Sequence, residues 1–214
     1  QVGLVFTTAS KAGFLTALYI VLVPVLGLFL GHRARWTTWL AVGLSAVGLY
    51  LLSATGQFSI ALGDLVVIAG ALFWAAHILA IDRFVRRADV WRLSCGQFLV
   101  AGTVSLAVAP LADRWFTPAD AGPLGPALWQ ALPAVLFVGV ISSGIAFTGQ
   151  AFGQRGAPPA AAAVIMSLEA VFATIGGYLF LDERLTAREG LGCALMLASV
   201  LLAQVPRRRP AGAG

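Results

Sequence analysis

The sequence is short of charge. Only 11% of its 214 residues are Asp, Glu, Lys or Arg, where soluble domains carry roughly 25%. So few charges could not cover a water-exposed surface of this size, which excludes an ordinary soluble fold. Lysine is nearly missing: Lys11 stands beside thirteen arginines. Cysteine is scarce too. Cys95 and Cys193 both lie inside apolar runs with no CxxC spacing, so free, buried thiols are expected rather than a disulfide or a zinc site. Two histidines and scattered serines leave no HExxH, no Walker loop, no G-x-S-x-G and no acidic pair for a metal. An enzyme is therefore not expected, and neither is a cofactor. The first residue is Gln1, with no Met and no basic n-region, so no signal peptide is expected. Val2 to Phe6 reads as the tail of a longer helix, with earlier spans expected to be missing.

What is present is hydrocarbon. The chain is 59% hydrophobic with a mean hydropathy of +0.90. Crossing a bilayer takes about 20 apolar residues in a helix. Seven runs approach that length: Ala12–Gly31, Thr37–Ser53, Leu62–Phe84, Leu93–Leu111, Ala127–Gln150, Ala160–Leu181 and Gly190–Val205. Lipid offers the backbone no hydrogen-bond partner, so these runs predict helices. Fold class is thus all-α, a polytopic transmembrane bundle. The connections are short. His32–Trp36 and Gln154–Pro159 read as turns, and Ala112–Pro126 is the longest link. Pro206–Gly214 reads as a disordered tail.

The net charge of +5 is a topology signal rather than a nucleic-acid footprint, because the bases sit in clusters between apolar runs. Alternate loops collect Arg33, Arg35, Arg83, Arg86, Arg87, Arg92, Arg155 and Arg207 to Arg209. The opposite set holds Lys11, Arg114, Arg184 and Arg188, offset by Asp113, Asp120, Asp182, Glu183 and Glu189. The first set is expected in the cytoplasm, with the C-terminus. The Arg-, Ala- and Gly-rich usage points to a bacterium and hence its inner membrane. Trp36, Trp39, Trp91, Trp115 and Trp129 fall near span ends, as aromatic belts do. Trp74 alone lies mid-span.

Two stretches echo each other. Phe14–Pro24, then Leu30-Gly31-His32-Arg33, then a short apolar span, corresponds to Ala163–Phe172, then Leu181-Asp182-Glu183-Arg184, then another. The charge-based topology gives them opposite directions. Inverted repeats of this kind place a solute site at the midplane, between halves that rock.

Glu169 is the sharpest candidate. A carboxylate near a span centre costs roughly 3 kcal/mol on insertion scales. It either binds a cationic group or carries a proton, or it is a packing element between helices. Trp74 and His77, three apart, share a helix face. They either line a cavity, the indole accepting a cation, or form a packing pair. Gln150 and Gln154 share a face, with Ser142 and Ser143 deeper on the same helix. These line a path or tie helices together, at roughly 0.6 kcal/mol each. Lys11 is a substrate contact or a snorkelling cation. Asp64 reads as a helix N-terminal charge, and Asp182 with Glu183 as a solvated turn. Gly27–Gly31 and Gly149–Gly153 fit the small-xxx-small motif of close helix approach.

Thr7-Thr8-Ala9-Ser10-Lys11-Ala12-Gly13-Phe14-Leu15 with Pro24, and Ser167-Leu168-Glu169-Ala170-Val171-Phe172-Ala173 followed by Leu181-Asp182-Glu183-Arg184-Leu185-Thr186, resemble the EamA-type branch of the drug/metabolite transporter superfamily. Gly63-Asp64-Leu65 with Trp74-Ala75 resembles the start of that family's second half. The resemblance covers essentially the whole chain. It implies ten spans in two inverted five-span halves. Residues 1–53 would close the first half from the end of span three, 62–205 would form the second, and 206–214 the cytoplasmic tail. It implies a secondary transporter, an exporter of small metabolites or amino-acid-like solutes, working by alternating access. The rival reading is a non-transporting scaffold or regulatory subunit. Partners are then a small-molecule substrate and the lipid bilayer, with no nucleic acid, and a homodimer stays open. The family carries Pro where Ala170 stands, so this helix is expected to be straighter. It carries Gly where Asp182 stands.

Overall fold

The computed structural model describes residues 6, 9–53, 62–116, 124–180 and 186–204. Every regular element among them is helical: α1 Ala9–Thr16, α2 Tyr19–Phe29, α3 Trp36–Ser53, α4 Leu62–Val85, α5 Val90–Phe116, α6 Leu124–Leu136, a π-helical stretch Phe137–Ile145, α7 Ala146–Gly156, α8 Pro159–Met166, α9 Leu168–Phe180 and α10 Ala187–Ala203. Five stretches are long and apolar enough to cross a membrane: Ala12–Phe29, Leu62–Val85, Val90–Leu111, Trp129–Gly156 and Pro159–Gly176. Trp36–Leu52 is a shorter apolar helix. α10 adds 17 residues, about 26 Å at 1.5 Å per residue. The architecture is the expected polytopic helical bundle. The Leu181–Arg184 turn and the 206–214 tail lie outside the described residues.

Local chemistry sets the helix ends. The Asp89 carboxylate accepts from the amides of Trp91 and Arg92 at 3.1 and 3.2 Å, capping α5. Pro159 opens α8 after an extended Pro158, where a missing N–H costs nothing. Gly31, at φ 81°, closes α2 in the left-handed region, and the His32 amide donates back to the Gly27 carbonyl at 2.9 Å. Thr186 and Glu189 form a complete capping box on α10. α7 runs on to Gly156, so the turn expected over Gln154–Pro159 is confined to residues 157 and 158.

Two of the expected continuous spans are interrupted. The first breaks between Thr16 and Tyr19, where the amides of Leu18, Ile20 and Val21 reach back only three residues. Pro24 lies further on, inside α2, where its ring lacks a donor and clashes with the carbonyl four residues back, that of Ile20, which loosens the helix just after the break. The second breaks at Ser167, contrary to the straighter helix expected from Ala170. The Ser167 hydroxyl donates to the Val164 carbonyl at 2.6 Å, and the Ala170 amide reaches only to the Ser167 carbonyl. A hydroxyl that bonds back into its own helix competes with the backbone ladder and bends it. The 127–150 span is also irregular, opening into the π-helix four residues beyond Pro133.

The chain divides into two compact units, residues 1–80 with 157–214, and residues 81–156. In the first, α3 packs along α10 and α2 against α8. Its core gathers Tyr19, Ile20, Val23, Ala41, Val42, Ile78, Val164 and Met196. A Cβ on Gly48 would lie 2.7 Å from the Gly192 carbonyl oxygen, and one on Gly192 equally close to that of Gly48. The close approach is thus made here and not at the expected motifs. Gly149 and Gly153 have nothing within 4 Å of an added Cβ, Gly27 makes only ordinary contacts and Gly31 is a turn residue. Ser45 and Ser167 share a buried hydrogen bond at 2.9 Å, tying α3 to the break between α8 and α9.

In the second unit, α5 packs against α7 over a small core of Ile81, Val85, Val90 and Ala151. Most of the α5 and α6 side chains described are exposed. Cys95 is among them, and Cys193 is half-buried. Both thiols are free, but the burial expected for them is corrected. An apolar run in a membrane helix marks contact with hydrocarbon as readily as with other helices.

Candidate functional site

The site in the first unit is built around the two helix interruptions. Tyr19 is the first residue of α2, and Glu169 is the second of α9. Each comes soon after a helix break: Tyr19 directly after the Ala17–Leu18 turn, Glu169 two residues after Ser167. Tyr19 is 0% exposed, and its hydroxyl has no hydrogen-bond partner. An orphan hydroxyl of this kind costs roughly 1–3 kcal/mol.

Glu169 is exposed, and so is Phe172, one turn further along the same face of α9. The first-turn amides of α9 add a local positive field.

Trp74 and His77 stack with centroids 5.4 Å apart and an interplanar angle of 27°. The Tyr19 ring meets Trp74 edge-on at 6.5 Å. One indole face is therefore taken by an imidazole. Tyr19, Trp74 and His77 form a continuous aromatic run. Lys11 lies on α1, but its side chain is outside the described residues. Asp64 sits in the first turn of α4, as expected, and is buried.

The other expected residues belong to the second unit. Ser143 is half-buried in the π-helix, while Ser142 is exposed. Gln150 is half-buried with its Nε2 unpartnered, and Gln154 is buried. Three side chains that sequence reasoning passed over also matter here. Ser94 and Gln97 on α5 carry buried polar atoms without partners. Asp82, 3% exposed, accepts from Arg86 Nη2 at 2.8 Å. The spacing of Ser94 and Gln97, three apart inside an apolar run, was a readable signal.

These features define a class: a polytopic helical membrane protein with internally related, interrupted helices and a carboxylate in mid-span. Residues 61–204 match the EamA-like transporter family, and the chain belongs to that family. An uncharacterized transporter of Archaeoglobus fulgidus is 30% identical over 203 residues, spanning 94% of this chain and 62% of that protein. The threonine/homoserine exporter RhtA of Salmonella typhimurium is 29% identical over 195 residues, 86% of this chain and 59% of that one. The chain thus spans about three-fifths of the length of these relatives. A crystal structure superposes with a TM-score of 0.75 at 24% identity, covering 95% of this chain and 71% of the other. That likeness shows the fold. Family and relatives are transporters, not enzymes.

Proposed function

We propose that this chain handles the solute in an inner-membrane secondary transporter that exports small, amino-acid-like metabolites by alternating access. The carrying observation is Glu169, a carboxylate within an apolar span, on an open helix face, just past a helix break. Leaving it in lipid would cost roughly 3 kcal/mol. A water-reached face removes that penalty and lets the carboxylate meet a solute's ammonium group or take up its proton. Tyr19, just past the other helix break, supplies a neutral hydroxyl, and the Trp74 edge bounds the site. Irregular backbone of this sort is tolerated at membrane depth only where it is buried or lines a cavity. The name of the Salmonella relative supports amino-acid-like cargo and outward movement. The arginine-rich turns support a cytoplasmic C-terminus.

The test is efflux of preloaded threonine, homoserine and related amino acids from cells expressing the protein, against Glu169→Gln. Losing a hydrogen bond to a charged group is worth about 1.5–3 kcal/mol, so efflux should fall about tenfold or more. Unchanged efflux across a wide panel would remove Glu169 from the mechanism. Immunoblotting of membranes controls for expression.

A further inference from the structure

We infer that the α5–α7 seam carries a second, uncharged recognition site, which reads a hydrogen-bonding side chain on the solute. The inference rests on the transport reading above and adds a substrate class to it. Ser94 and Gln97 lie three apart on α5, hence on one face. Two ring contacts set the antiparallel register: Phe98 meets Phe147 at 6.5 Å, and Trp91 meets Phe152 at 5.5 Å. Stepping back along α5 from Phe98 and forward along α7 from Phe147 places Gln150 opposite the Ser94–Gln97 segment.

The polar atoms of this group are buried and unmatched. The Ser94 side chain is 2% exposed, and its Oγ has no partner. Both amide atoms of Gln97 and the Nε2 of Gln150 are likewise without one. Two carboxamides and a hydroxyl are thus gathered at one seam and leave these atoms unsatisfied. Buried polar groups are normally hydrogen-bonded, so a set left open asks for an outside partner. Gln97 presents a donor and an acceptor side by side, and all three groups are neutral. The matching ligand is a hydroxyl or carboxamide, which also donates and accepts, rather than a carboxylate or an ammonium.

L-Threonine and L-valine are the appropriate probes, because they differ by a hydroxyl in place of a methyl. A site built to bond a hydroxyl rejects the isostere that lacks it, since its own polar groups are then stranded. The protein in proteoliposomes is expected to prefer threonine over valine by about tenfold or more in kcat/KM. The Gln97→Met, Gln150→Met double variant should shrink that preference to about twofold. Its ligand-free melting temperature in detergent should rise, because stranded amides are replaced by an apolar group of similar size. An unchanged preference would overturn the inference and leave bound water as the partner of these amides. So would a lowered melting temperature, which would mean that the amides are structural ties. Wild-type protein that moves neither amino acid, nor any other solute, defeats the transport reading instead. The melting temperature then decides the seam by itself.

Discussion

The α3–α10 seam and the α5–α7 seam are both antiparallel pairs of apolar helices, yet they are built in opposite ways. At the first, backbones nearly touch through Gly48 and Gly192, and polar side chains are satisfied internally. Ser45 bonds Ser167, and Ser199 donates to the Met196 carbonyl at 2.7 Å. Arg188 reaches the Tyr50 carbonyl at 3.3 Å and lies 5.7 Å over its ring, and Phe14 meets Tyr50 edge-on. At the second, bulky aromatics hold the helices together and polar atoms stay open. In lipid, where apolar surface gains little by leaving the solvent, close packing and hydrogen bonds decide which helices adhere. The first seam has both and reads as framework. The second leaves its hydrogen-bonding capacity for something else.

The comparison breaks first at the glycines. Gly192→Leu, or Gly48→Leu, should separate α3 from α10, because the new atoms meet backbone that cannot swing away. The expected cost is at the upper end of overpacking, about 3 kcal/mol, seen as aggregation in size-exclusion chromatography. Gly149→Ala and Gly153→Ala have open space around them and should cost nothing, each raising stability by up to about 1 kcal/mol through the helix preference for Ala over Gly. Similar losses at both seams would erase the distinction drawn here.

A middle-sized effect is expected at Ser167. Ser167→Ala removes the bond to Ser45 and the bond to the Val164 carbonyl together. About 1 kcal/mol of stability should go, measured as a lower melting temperature. Electron paramagnetic distance measurements should show α8 and α9 drawing into line. Ser45→Ala breaks only the bond to α3 and should leave the bend in place.

The smallest effect belongs to the α10 cap. The Glu189 carboxylate accepts from the Thr186 amide at 2.8 Å and from its hydroxyl at 2.7 Å. The bond from the Thr186 backbone, then that from its hydroxyl, holds the Glu189 carboxyl below its usual range. A lowered folded-state pKa gives a contribution that is full above the ordinary Glu value and fades as pH falls through the folded one. Thr186→Ala should therefore cost about 0.5 kcal/mol at neutral pH, and less in acid. A penalty that grows on acidification would contradict the cap.

Helix placement was legible because a long apolar run between arginines has one stable outcome in a bilayer; five of the seven expected runs are long and apolar enough to cross. Thr186 with Glu189 three residues on, and Pro159 after Pro158, likewise declare their helix starts. Interruptions were harder to read. Pro24 announces a disturbance at Ile20, but the break lies further back, at Ala17–Leu18, where neither residue declares it. Ser167 gives no warning, since a serine in a membrane helix breaks it only when its hydroxyl turns back on the chain. Glu169 stood out as a charge in hydrocarbon. Tyr19 did not, because a tyrosine passes for bulk apolar surface until its hydroxyl is seen without a partner. Ser94 and Gln97 were hidden in a run read for length alone.

Glu169 facing water from within the membrane is the claim on which the rest depends. Glu169→Cys and Val171→Cys, the second at a core position of α9, each made with Cys95 and Cys193 replaced by Ser, should be treated with a charged, membrane-impermeant maleimide in sealed vesicles of both orientations. The cysteine at 169 should react from an aqueous side at a rate near that of a loop control, while the one at 171 stays protected. A cysteine at 169 that reacts only after detergent is added would place this carboxylate in lipid or protein and contradict the account.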